Sequence, residues 1–137
     1  MQNLWIVFIA QPVSVIGFFV VVLCIASTKV ERDDAGHLTR GGKNLIWARS
    51  CLVLNWWSYM VIVLTFLARG PKEIGTDFWN PHEVEFIVLH FSGTAFAVLA
   101  VFLGFRAKGG GVMVLRIASL VLAAVSIFAA YFFPYAE

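Results

Sequence analysis

From Val84 to Phe105 the chain reads VEFIVLHFSGTAFAVLAVFLGF, 22 residues whose only ionisable side chains are Glu85 and His90. About 20 apolar residues in a helix cross a hydrocarbon core of about 30 Å. Lipid offers backbone amides no partner, so a segment of this kind must satisfy them internally as a helix. The residue alternation of a membrane barrel strand is absent. Three further runs of the same character lie at about 4–27, 45–68 and 112–133. Together they predict an all-α integral membrane protein, one membrane domain over residues 1–137, folded as a four-transmembrane-helix bundle.

Composition agrees. Of 137 residues, 61% are hydrophobic and only 13% charged, with 13 phenylalanines. A soluble domain carries about 45–50% apolar and about 25% charged residues, so a soluble monomer is excluded. There is no charge run to suggest disorder or nucleic-acid binding. The two cysteines, Cys24 and Cys51, form neither a CxxC pair nor a disulfide framework. The first apolar run is too long for a signal-peptide core and has no basic residue before it, so it reads as a span.

Eight of the ten basic residues fall on one side. Lys29, Arg32, Arg40, Lys43 and Arg49 belong to the first loop and its border, and Arg106, Lys108 and Arg116 to the third. Arg69 and Lys72 are on the other side, with Glu73, Asp77, Glu83 and Glu85. Basic loops remain cytoplasmic, which predicts a multi-pass cell-membrane protein with both termini on the non-cytoplasmic side. Aromatic residues at the outer boundary (Trp5, Phe78, Trp79, Tyr131, Phe132, Phe133, Tyr135) and Trp47 at the inner one fit interfacial belts. Asn80-Pro81-His82-Glu83 reads as a helix cap with Pro at the first position, in preference to a metal site built from Asp77, His82, Glu83 and Glu85.

Helices pack in lipid through small residues. Gly93, Ala97, Ala100 and Gly104 line one face of the third span, and Ser119, Ala123, Ser126 and Ala130 one face of the fourth. These predict a tight hairpin between those two helices, joined at Gly109-Gly110-Gly111. Cys51, Asn55, Ser58 and Thr65 form a weakly polar stripe on the second span, and Pro12 should kink the first.

His90 lies seven positions past Glu83, about 10 Å into the span at about 1.5 Å per residue. An ionisable group at that depth is a candidate ligand or proton site. Gln11, Ser58 and Ser126 fall at comparable depths, which predicts a polar layer with one member from each helix. The plainer role for His90 is to fix helix register. Haem ligation would need a second axial donor, and Met60 lies at a suitable depth. Trp56 and Trp57, beside Asn55, form a deep aromatic pair suited to walling a quinone, pigment or haem, or to packing against a partner. Arg49, Arg106, Lys108 and Arg116 suit snorkelling or a joint anionic-lipid contact. The loop Lys29–Lys43, with His37, reads as a solvated connector.

No nucleophile triad, phosphate loop, zinc-protease motif or intramembrane carboxylate pair is present, which argues against an enzyme. The expected function is a non-catalytic accessory or structural subunit of a larger membrane complex. Its partners would be lipids and other integral membrane subunits, with a homo-oligomer second. The alternatives are a small homo-oligomeric channel or transporter with a path near His90 and Asn55, and a subunit binding a hydrophobic cofactor.

Overall fold

The computed structural model describes residues 4–69 and 81–132, with side chains described over 10–65, 67–68 and 87–128. The elements run α1 (Leu4–Ser27), β1 (Lys29–Val30), α2 (Arg40–Arg69), α3 (Pro81–Arg106), β2 (Gly109–Gly110) and α4 (Val112–Phe132). Three helices are long and apolar enough to cross a membrane, over Ala10–Ser27, Arg40–Thr65 and Ile87–Arg106. In α4 the described apolar stretch is the shorter Val112–Phe128. α1 continues through Pro12.

α2 begins at Arg40, ahead of its apolar run, because Thr39 caps it. The Thr39 hydroxyl accepts the Gly42 amide at 3.1 Å and donates to the Glu31 carboxylate at 3.0 Å. A threonine oxygen on the amide three residues on is the usual way to satisfy a helix start. The connector before it is ordered rather than merely solvated. Asp33 Oδ1 accepts the amides of Ala35 and His37 at 3.0 and 2.8 Å, around a turn in which Gly36 takes φ 82°.

β1 and β2 pair antiparallel, Lys29 with Gly110 and Val30 with Gly109. This clamp puts the first loop and the α3–α4 hairpin at one end of the bundle, so the basic residues of both loops share that end. Gly109 is needed there because a Cβ would run into the Lys29 carbonyl oxygen.

α2 and α3 are the most closely packed pair; α1 lies on α2, and α4 on α3. α1 and α4 meet only lightly, along an apolar crevice of about 200 Å³ that includes Val13, Val20, Ala118 and Leu122. The predicted α3–α4 contact is present, but the small-residue face of α3 serves two neighbours. A Cβ on Gly93 would lie 3.2 Å from Ser58 Cβ and 3.3 Å from Tyr59 Cε2, both on α2. One on Gly104 would lie 3.1 Å from Leu115 Cδ2, on α4. Ala97 and Ala100, between them, are buried, as are Ser119, Ala123 and Ser126 on α4. The Ala130 side chain lies outside the described residues, and so do the side chains of the outer aromatic belt and of Asp77, His82, Glu83 and Glu85.

The main core joins Cys24, Leu45, Leu52, Ala100, Leu115 and Leu122. A smaller one around Ala10, Tyr59 and Ile62 lies further along α2. The exterior carries exposed Phe18, Phe19, Phe91, Phe102 and Phe105, with Trp47 exposed near the basic end.

Candidate functional site

Asn55, Ser58 and Tyr59 stand at i, i+3 and i+4 on α2, and His90, Gly93 and Thr94 at the same spacing on α3. Residues so spaced share one helix face, and the two faces meet. Asn55 Nδ2 donates to the Gly93 carbonyl at 2.7 Å, a contact that the missing Gly93 side chain permits. Four residues on, the Tyr59 hydroxyl lies 2.9 Å from His90 Nδ1, the two rings nearly edge-on with centroids 5.6 Å apart. Ser58 and Thr94 turn back onto their own helices, bonding the carbonyls of Leu54 and His90 at 2.9 Å each. From α4, buried Ser126 lies near the Tyr59 phenol.

Three buried atoms in this centre have no hydrogen-bond partner among the described residues: Asn55 Oδ1, His90 Nε2 and Ser126 Oγ. A buried polar group without a partner costs about 1–3 kcal/mol. What His90 Nε2 offers follows from Nδ1. If Tyr59 donates to Nδ1, Nε2 carries the proton and is a donor; if Nδ1 donates, Nε2 is an acceptor. The centre therefore presents an amide oxygen, a hydroxyl and an imidazole nitrogen of either polarity. Among the described residues no three His, Cys, Asp or Glu side chains gather as metal ligands.

The predicted four-helix layer is a three-helix one. Gln11 is exposed on α1, and its carbonyl accepts the Ser14 hydroxyl at 2.8 Å. Counting along a helix gives a residue's height in the bundle and not its direction around the helix. Tyr59, which is not one of the expected layer residues, is the group that meets His90. Its place four residues after Asn55 was the available signal. Met60, considered as a second haem ligand, is half-buried, and α2 offers Tyr59 to the imidazole instead.

Trp56 and Trp57 diverge. Trp56 Nε1 donates to the Ser14 carbonyl of α1 at 2.7 Å and packs on Phe18, with centroids 5.7 Å apart. Trp57 is exposed, its ring centroid 6.0 Å from that of Trp56. They do not form one wall inside the bundle.

The arginines separate as well. Arg49 binds the carbonyl and hydroxyl of Thr28, its Nε 2.7 Å from Thr28 Oγ1, and so closes the end of α1. Arg116 does the same for α3, donating to the carbonyls of Gly104 and Ala107 at 2.9 and 3.2 Å. Cations suit the carbonyl-rich, negative end of a helix. Arg116 remains beside Arg106 and Lys108, but Arg49 does not join them; Arg40 does.

No protein-family model, curated protein or solved structure matches the chain.

Proposed function

We propose that the protein is a non-catalytic subunit of a larger membrane assembly, inserted as a self-registered four-helix unit. The observation that carries this reading is where its inter-helix donors go. Asn55, Trp56, Arg49 and Arg116 each donate to a main-chain carbonyl of another helix or its end. Such bonds fix the height and rotation of α1 and α3 against α2, and of α4 against α3. They leave an exterior of large apolar side chains, Trp57 and Phe102 among them, suited to lipid and to other membrane helices. In this reading both termini and the acidic loop lie outside the cell membrane and the basic end is cytoplasmic, by the positive-inside rule. Extraction in mild detergent followed by native mass analysis tests it. Stoichiometric co-migration with unrelated membrane chains is expected; a lone chain would overturn it.

A second reading is favoured by the unpartnered Asn55 Oδ1, His90 Nε2 and Ser126 Oγ. They would suit the polar head of a quinone, or a pigment or haem reaching His90. An absorbance spectrum of the same extract tests for a pigment or haem, with bands beyond those of tryptophan and tyrosine expected, and chromatography of a solvent extract of the purified protein tests for a quinone.

A further inference from the structure

At the basic end of the bundle, Arg40, Asn44, Phe105, Arg106, Lys108 and Arg116 surround a cleft of about 600 Å³. Its walls come from the start of α2, the end of α3, the link to β2 and the second turn of α4. Four of the lining side chains are cations and none is a carboxylate. The acids of the adjoining loop are engaged elsewhere or point outward: Glu31 accepts from Thr39, Asp33 from the Ala35 and His37 amides, and Asp34 is exposed. Among the described residues no ion pair neutralises any of the four.

The main chain that carries Lys108 and the guanidinium of Arg116 are both held in place. The Lys108 amide donates to the Gly41 carbonyl at 3.1 Å, and Gly41 lets Lys108 approach, since a Cβ there would lie 2.5 Å from Lys108 Cβ. Arg116 is fixed by its two carbonyl contacts, which are neutral and leave its charge uncompensated. Arg40, Gly41 and Asn44 from the first two turns of the 30-residue α2 line the same cleft, so the positive end of that helix dipole lies close to it. Uncompensated like charges gathered this closely repel each other unless an anion joins them.

We infer that this cleft binds a phosphate group, presented by an anionic phospholipid at the membrane surface. Phosphate is an anion that arginine forks hold well, and basic pockets between membrane helices take lipid headgroups. The lipid source is favoured by Phe105, which lines the cleft while exposed, with exposed Phe102 on the turn before it. Acyl chains could follow that apolar surface away from the headgroup. The inference rests on the membrane placement of the helices and not on the subunit role.

The test uses the full chain in nanodiscs of mixed phosphatidylglycerol and phosphatidylcholine, with retained lipid counted by native mass spectrometry. Retention of phosphatidylglycerol over phosphatidylcholine is expected. Arg40→Gln and Lys108→Gln should each weaken that preference about fivefold, in line with the contribution of one cation at a membrane surface. Arg32→Gln, in the same charged loop but outside the cleft, should weaken it by much less. Millimolar inorganic phosphate added to the sample separates the sources. Displacement of the lipid by phosphate, but not by chloride at matched ionic strength, supports the phosphate site while making free phosphate a competent occupant; no displacement supports the lipid source. Equal retention of both lipids, or an Arg32→Gln effect as large as that of Arg40→Gln, would overturn the site. Circular dichroism of each variant confirms that the bundle is intact.

Discussion

The Tyr59 hydroxyl and His90 Nδ1 meet at 2.9 Å in the buried interior between α2 and α3. Tyr59→Phe leaves the imidazole nitrogen without its partner, and His90→Leu does the reverse. The double variant should therefore be less damaging than the sum of the two, with a coupling of about 0.5–1.7 kcal/mol, the range of inter-helix hydrogen bonds in membranes. Unfolding in mixed micelles gives the three stabilities. Strict additivity would mean that the contact contributes nothing.

Gly93 and Gly104 both sit at close helix contacts, but their neighbours differ in how far they can yield. A methyl on Gly93 would meet Ser58 Cβ and the Tyr59 ring, the first fixed to the backbone and the second tied to His90. A methyl on Gly104 would meet the far end of the Leu115 side chain. Gly93→Ala should cost about 1–3 kcal/mol by overpacking, whereas Gly104→Ala should cost less, because the end of a side chain can shift further than a Cβ. Thermal unfolding of the two in the same detergent checks the order.

Arg49 reaches Thr28 through more than one guanidinium nitrogen, a geometry that an ammonium cannot copy. Arg49→Lys should therefore loosen the last turn of α1 and leave the end of α3, held by Arg116, unchanged. Hydrogen exchange should show faster exchange confined to the amides around residues 24–28. A uniform change along the chain would point to global destabilisation instead.

Trp56 and Trp57 are neighbours in sequence with opposite duties in the fold. Trp56→Phe removes the bond to the Ser14 carbonyl and should destabilise the isolated bundle by about 0.5–1.5 kcal/mol. Trp57→Phe, on an exposed surface, should leave that stability unchanged while weakening recovery of partner chains after extraction. Equal loss of stability in both would place Trp57 inside the bundle.

Much of this architecture was legible in the chain. The bounds of α1 follow its apolar run directly, and His90 is conspicuous as the ionisable group well inside an apolar helix. The small-residue face of α3 was also legible, though not its division between two partners. What the sequence withheld concerns direction around the helix axis. Gln11 has the right depth for the polar centre but the wrong azimuth. Arg49 and Arg40 exchange roles for the same reason, one turning to α1 and the other to the cleft. Tyr59 was hidden by its chemistry, since a mostly apolar ring does not stand out in an apolar helix. The early start of α2 depends on the Thr39 cap and its bond to Glu31, a contact eight residues apart.

The central claim is that this bundle serves as a subunit among other membrane chains. Native mass analysis of the protein, extracted in mild detergent from the membrane that contains it, tests that claim most directly. A discrete complex holding this chain in fixed ratio with unrelated integral membrane proteins is the predicted result. Recovery of the chain only as a monomer, or only with copies of itself, would contradict it.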